Sequence, residues 1–414
     1  MLSRLKRFLK LYFASRPAFV YLILALRNVL PSGSGALPPV AIRWSGRTIL
    51  FVDGSTPQGD RDAGALSIVQ FMHLFVDHGW QVHLWPFDQV DRPEARASLE
   101  RNGIHVILSS RRADAFRRWM RRHARQYDVV FVSRPALAAF LLPWLRQLAC
   151  KFAYYGHDLH GERFKQEAML TGQRELLLLA RQYSHLERAI CAAAACSYYP
   201  SAEEVHVMKM AVPQATIKEL PPYAFDFFHL EPPVPPAKAH LLFVGNFEHL
   251  PNLDAALWLL DELWPRIRER LGEAHLTIAG ARPPASLIQR VHACSGDVTL
   301  TGWISEQRLQ ELYQCSRIVV VPLRFGAGVK HKVVAAIMQG CPIVTTDVGL
   351  QGLPELEGVV GLANNASEFA RECENLIGND HLWSSRVCSA RTALASRFSR
   401  DSMWRALQDL HHDT

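Results

Sequence analysis

The chain has 414 residues, 49% of them hydrophobic and 21% charged, with a formal net charge of +7. A single ordinary core is excluded at that length, and the apolar fraction supplies a sizeable core for each of two domains. The positive balance points to anionic partners: nucleotide diphosphates, lipid phosphates, an acidic membrane surface or nucleic acid.

In chain order, Met1 to Leu30 carries Arg4, Lys6, Arg7, Lys10, Arg16 and Arg27 with no acidic residue. Its apolar run, Ala18 to Leu26, is only nine residues long, well short of the ~20 that span a bilayer. Residues 1–40 therefore read as a basic amphipathic arm on an anionic membrane surface, or equally as a helix packed on the protein itself. The expected location is cytoplasmic, with peripheral contact at the inner face of the cytoplasmic membrane.

Short apolar strands then alternate with helical patterns. Arg47–Asp53 reads as a buried strand, 62–79 as a helix stopped by Gly79, and 80–85 as the next strand. Further strands follow at 104–108, 127–133 and 151–155. Strands joined by helices mean parallel βαβ units with both sheet faces covered. On the helix after Arg111, Arg117, Arg121 and Arg125 fall on one face, which is either a solvated face or a surface for anionic lipid. Six prolines between Pro221 and His240 remove backbone donors and mark the interdomain linker. The pattern restarts with strands at 241–245, 274–280, 298–302, 318–323 and 342–345, and a helix over 252–271. Residues 368–410 read as wholly helical. The domains are thus the arm 1–40, an acceptor-side domain 41–228, a donor domain 229–395, and a C-terminal helix 396–414 packing back toward the first domain.

Eight cysteines contain no CxxC pair, which argues for buried thiols and against a disulfide frame or zinc site.

The chemistry concentrates in Val319-Val-Val-Pro-Leu-Arg324-Phe-Gly326-Ala-Gly328-Val-Lys330-His-Lys332. A strand runs into a two-glycine loop that opens a helix near Val329. Backbone N–H groups at a helix start are unpaired within the helix and the dipole there is positive. Glycines allow close approach of an anion. Arg324 and Lys330 add full charges, so loop, helix end and side chains suit a diphosphate. No Asp-x-Asp motif lies beside a strand, so no metal site is expected. The first strand is not followed by GxGxxG, which argues against a nicotinamide dehydrogenase. No groove-fitting motif or interleaved aromatics point to nucleic acid.

Seven segments in order carry a resemblance: 59–64 (GDRDAG), 133–135 (SRP), 154–160 (YYGHDLH), 198–201 (YYPS), 244–252 (VGNFEHLPN), 301–303 (TGW) and the basic glycine loop. Together the chain resembles the family 4 retaining glycosyltransferases, especially a bacterial branch acting on surface polysaccharide. The resemblance implies a GT-B fold, two facing Rossmann-like doubly wound parallel sheets with an interdomain cleft, where ligands bind at strand carboxyl ends. It implies that His157 sits at the reacting centre, with His160 the other candidate. It implies that Arg324, Gly326, Gly328, Lys330 and Gly64 hold the donor phosphates, and that Gly302 and Trp303 border the nucleotide base. Asn246 and His249 would line the cleft, although Asn252 also reads as a helix cap. Asp158 reads as a cap for the helix after His157.

Three positions depart from the family pattern. Ala335 stands where a glutamate contacts the nucleotide ribose, Gln351 replaces another glutamate, and His331 stands where a glycine is usual. The expected activity is transfer of a sugar from a nucleotide-sugar donor, as co-substrate without other cofactor, to a growing glycan or lipid-linked glycan with retention. Rival readings are a non-catalytic nucleotide- or partner-binding module, motivated by Ala335 and Gln351, and a sugar-nucleotide epimerase.

Overall fold

The computed structural model describes residues 44, 46–58, 63–109, 114–147, 150–225, 234–294 and 296–410. The expected arm 1–40, residues 59–62 of the first resembling segment, and part of the proline-rich stretch lie outside these residues. The chain divides into two compact units, one running to Ala224 and taking in Met403 onward, the other Phe225–Ser402.

The first unit contains β1 (Thr48–Asp53), α1 (Ala63–Asp77), β2 (Gln81–Pro86), α2 (Pro93–Arg101), β3 (Ile104–Val106), α3 (Ala115–His123), β4 (Val129–Ser133) and α4 (Pro135–Leu145). It continues with β5 (Lys151–Tyr155), α5 (His160–Thr171), α6 (Leu176–Cys191), β6 (Cys196–Tyr199), α7 (Ala202–Ala211) and β7 (Ile217–Glu219). The seven strands are all parallel, in the order β3-β2-β1-β4-β5-β6-β7. Every residue of β1 and β4 is buried, as expected where helices cover both faces. Alternation along β1 assigns Leu50 and Val52 to one core and Ile49 and Phe51 to the other. Each such side chain contributes ~1.5–3 kcal/mol by leaving water.

A C-terminal helix, Arg400–Leu407, brings Met403 and Leu407 into the core beside Phe71 and Phe75. Trp404 stacks on His78 at 3.7 Å and meets Phe75 edge-on at 5.4 Å.

The second unit contains β8 (His240–Val244), α8 (Leu250–Trp258), α9 (Trp264–Leu271), β9 (His275–Ala279), α10 (Ala285–His292), β10 (Val298–Gly302), α11 (Glu306–Cys315), β11 (Ile318–Val321) and α12 (His331–Met338). It ends with β12 (Ile343–Thr345), α13 (Asp347–Leu350), β13 (Gly361–Leu362), α14 (Ala366–Gly378) and α15 (Asp380–Ala395), before the helix Arg400–Leu407, α16. Its sheet is parallel, in the order β10-β9-β8-β11-β12-β13. In both units the strand order reverses between the first and fourth strands, which creates a switch point at their carboxyl ends.

The local differences from sequence have physical reasons. The helix expected over 252–271 starts at Leu250 and passes through a π turn, Leu259–Leu263. Pro265 lacks the N–H that would bond the carbonyl four residues back, and the helix widens just before it. The C-terminal helical run breaks at Asn379, whose side chain accepts from the Leu382 N–H and restarts a new helix. The strands β6, β7 and β13 are short and were not evident from periodicity. All eight cysteines are free thiols, with Cys191, Cys196, Cys341 and Cys373 buried. Among the described residues no helix is long and apolar enough to cross a membrane.

Candidate functional site

In the second unit, two loops leave the carboxyl ends of β8 and β11, the strands flanking the switch point. The β11 loop runs from Pro322 to Lys330. Gly326 and Gly328 adopt φ 142° and 73°, values that side chains with a Cβ rarely take. The helix expected near Val329 begins two residues later, at His331, with Lys330 as its N-cap residue. Two glycines at positive φ delay helix entry to that point.

The Arg324 guanidinium forms a two-pronged pair with Asp254 of α8, Nε to Oδ2 at 2.9 Å and Nη2 to Oδ1 at 2.5 Å. Its planar group also lies 5.5 Å from the Trp258 ring centroid. Donation to the Asp254 carboxylate raises the Arg324 pKa further, so its charge is fixed in place. Lys330 Nζ donates to the Gly328 carbonyl at 2.5 Å and the Gln351 side-chain oxygen at 3.4 Å, both neutral groups.

Lys332 points into the fold. Its Nζ donates to Asn252 Oδ1 at 2.7 Å and sits 4.8 Å above the Phe243 ring. Burial, with the nearby Lys330 charge, lowers its pKa to about 7. Burial and the Lys332 charge likewise lower His331 to about 4, leaving it neutral.

The β8 loop is tied to this helix. Asn252 Nδ2 donates to the Asn246 carbonyl at 2.8 Å, and Asn246 Oδ1 accepts from the Glu248 N–H at 3.0 Å. Asn252 therefore does not cap α8. His249 occupies the cap position, and Asn252 links Asn246 to Lys332. A Cβ on Gly280 would overlap the Gly245 carbonyl, so the β8 and β9 ends approach to backbone contact.

Gly302 ends β10 at φ 69°, followed by Trp303, which is 67% exposed. Ala335 lies half-buried in α12. Gly64 stands in the first turn of α1, half-buried.

The first unit gathers a different set at its own switch point. Asp53 ends β1 and is buried. Its Oδ1 accepts from Arg134 Nε at 2.7 Å and from the Gly54 N–H at 2.6 Å. Burial alone would raise its pKa, but Arg134 and His157 outweigh that and hold it below the ordinary carboxylate value. Arg134, directly after β4, and His157, after β5, both take positive φ, 70° and 45°. Such strain costs about 1–3 kcal/mol and persists only where surroundings enforce it. Gly156 permits the turn, because a Cβ there would overlap the Tyr199 ring.

His157 meets the Tyr155 ring edge-on at 4.8 Å. Its Nε2 is enclosed without a hydrogen-bond partner. Burial, followed by the Arg134 charge, lowers its pKa to about 3, so the ring is neutral.

His160 is engaged in a separate network. Its Nδ1 pairs with Asp158 Oδ1 at 2.5 Å, its ring stacks on Tyr183 at 5.5 Å, and Asp158 Oδ2 accepts from Arg163 at 2.5 Å. Asp158 does not cap the following helix, as its position in sequence implied. Glu187 of α6 does so, accepting from the His160 N–H at 2.8 Å and the Gly161 N–H at 3.4 Å. Glu204 of α7 accepts from the Leu159 N–H at 3.3 Å. Burial raises the Glu187 pKa to about 8, against the two N–H donors that lower it.

Sequence reasoning missed Asp53, Asp254 and Glu187. Each carries an acid whose partner lies 81, 70 or 27 positions away, beyond any local spacing rule.

Known proteins place the fold. Residues 238–379 match the family model described as glycosyl transferases group 1. An uncharacterized 44.6 kDa protein in the cps region of Klebsiella pneumoniae is 29% identical over 163 residues, 38% of this chain and 40% of that protein. The match thus spans about two fifths of that relative's length. Sucrose-phosphate synthase from Thermosynechococcus elongatus superposes with a TM-score of 0.67 at 16% identity, covering 88% of this chain and 98% of that one. HepE from Anabaena, in complex with UDP and glucose, gives 0.63 at 15% identity over 89% of this chain and 100% of that one. The same Anabaena protein with UDP-glucose gives 0.62 at 15% identity over 88% and 100%. The two parallel-sheet units have the GT-B fold.

Proposed function

We propose that this chain, a GT-B protein whose residues 238–379 form a glycosyl transferases group 1 domain, moves a sugar from a nucleotide diphosphate donor to a glycan or lipid-linked glycan. The observation that carries this reading is the β11 loop. Two glycines in positive φ expose its backbone at the switch point, and Arg324 and Lys330 flank it at the start of α12. As the glycosidic bond breaks, negative charge grows on the leaving diphosphate. Cations fixed beforehand stabilise that charge more than the ground state, which is where rate acceleration arises. Asp254 fixes Arg324, so little reorganisation is needed when the charge develops.

The Anabaena structures with UDP and UDP-glucose support a uridine nucleotide as the first donor to test. We assign Gly302 and Trp303 to the base side, Gly64 to the phosphates, and Asn246 and His249 to lining the site. His157 is assigned to a substrate hydroxyl, because its enclosed Nε2 lacks a partner and the neutral ring can accept or donate there. Retention of anomeric configuration, and peripheral membrane contact at the inner face, belong to the same reading.

Ala335 favours one competing reading, a module that binds nucleotide without turnover. The test is nucleotide release from UDP-, GDP- and dTDP-sugars with glycan acceptors, beside calorimetry with the bare nucleotides. Turnover that falls ~10²–10³-fold in Lys330→Ala supports the reading. Nucleotide binding lost in that variant, with no turnover in the wild type, establishes the module instead. A new sugar nucleotide formed without acceptor would identify an epimerase.

A further inference from the structure

Helices α5 and α6 form a hairpin with its own small core, made by Phe164, Ala168, Leu176, Leu179, Ala180 and Tyr183. Gly172, in the left-handed conformation at φ 68°, ends α5 and turns the chain. At the tip the apolar pattern reverses. Met169 is 72% exposed, Leu170 43%, Leu177 39% and Leu178 54%. Ten large apolar side chains are exposed among the described residues, and these four fall within one stretch of ten residues. Single exposed leucines are ordinary on a soluble surface, but a cluster at an exposed turn marks an interaction site.

The cluster is flanked by cations. Arg174, in the turn before α6, and Arg181, one turn after Leu177 and Leu178 on that helix, are exposed. On α5, the exposed Lys165 stands one turn before Met169 and pairs with Glu162. Arg174 and Arg181 form no ion pair among the described residues. The accessible acids near the tip are Glu175 in the turn, which is exposed, and Glu162, which pairs with Lys165.

We propose that this hairpin tip docks on an anionic lipid surface. Met169, Leu170, Leu177 and Leu178 enter the boundary between headgroups and acyl chains. Arg174 and Arg181 meet lipid phosphates. An apolar tip flanked by two arginines combines the two terms of interfacial binding, burial of apolar area and attraction to anionic headgroups. A second copy of the chain fits less well. A two-fold contact through this patch would oppose the same arginines to one another. This inference deepens the peripheral membrane contact proposed above by naming the surface that makes it, and it does not depend on which sugar is moved.

The test is sedimentation of the full chain with vesicles of phosphatidylglycerol and phosphatidylcholine, and with phosphatidylcholine alone. Hydrogen exchange across 165–181 is read on the same samples. The expected result is binding that needs the anionic lipid, with slowed exchange at the tip. Leu177→Gln with Leu178→Gln should weaken binding about tenfold and abolish that protection. Arg174→Glu with Arg181→Glu should weaken it at least as much, mostly at low salt. Both pairs are exposed, so melting temperatures should stay at the wild-type value, which separates lost docking from lost folding. The proposal is overturned if the vesicles are not bound, or if they are bound with exchange at 165–181 unchanged. It is equally overturned if the leucine pair leaves binding intact, or if that pair dissolves a dimer in solution instead.

Discussion

Each unit sets an aspartate–arginine pair at its switch point, and the two pairs stand in opposite electrostatic settings. In the first unit the aspartate is the buried partner, with 3% of its side chain exposed against 43% for Arg134. The added group there is a neutral histidine. In the second unit both partners are partly open, 23% for Asp254 and 38% for Arg324. The added groups are lysines 330 and 332. A neutral ring thus joins the first pair, and two lysines join the second. On the proposed function, the first end would meet uncharged hydroxyls and the second a diphosphate.

The largest expected effect breaks the first unit. Glu187 holds its proton to about pH 8 when folded, against an ordinary carboxyl value of 4.5. Between those values the folded chain binds more protons than the unfolded chain, so stability falls as pH rises through that window. Glu187→Gln keeps the acceptor for the His160 N–H and removes the charge. Thermal melts at pH 5 and pH 9 should show the variant gaining on the order of 2–4 kcal/mol relative to wild type at the higher pH. An equal pH dependence in both proteins would contradict this account.

Next is Asp53→Asn. It removes the charge from the bonds with Arg134 and the Gly54 N–H, while the half-exposed arginine can turn to water. A loss of about 2–3 kcal/mol follows, seen as a melting temperature lowered by about 5–10 °C. Asp254→Asn should spare stability more, since both partners are already open, and act chiefly on turnover by releasing Arg324.

Ala335→Glu sharpens the second unit. Restoring a ribose-contacting carboxylate would add a charge-assisted bond of ~1.5–3 kcal/mol. Calorimetry should then show UDP bound at least about tenfold more tightly, and unchanged affinity would mean the ribose lies elsewhere.

The smallest effect concerns Lys332, which is charged below and neutral above about pH 7. UDP affinity should weaken severalfold from pH 6 to pH 8.5, and Lys332→Met should flatten that profile.

Much of this molecule was legible before folding was considered. Uninterrupted apolar runs such as Ile49–Val52 and Ile318–Val321 announce strands covered on both faces, because only such strands tolerate apolar residues on every position. The two glycines before Lys330 announce a loop that takes positive φ, because only glycine does so freely. Periodicity could not reveal β13, whose two residues join the sheet only because β12 offers them an edge. Nor could it show that α12 starts at His331, since helix entry depends on how the glycine loop closes.

The sequence by itself determined the repeated strand–helix order and the clustering of cations after β11, since these follow from chain-local pattern and composition. Tertiary structure decided which charges remain available. Arg324 and Lys330 read alike in sequence, yet one is clamped by Asp254 and the other rests against neutral oxygens. His157 reads as the first candidate and His160 as its alternative, and the fold engages His160 with Asp158, Tyr183 and Glu187 while His157 Nε2 stays enclosed and unbonded. Burial and pairing are properties of residues brought together across tens of positions, and no local spacing encodes them.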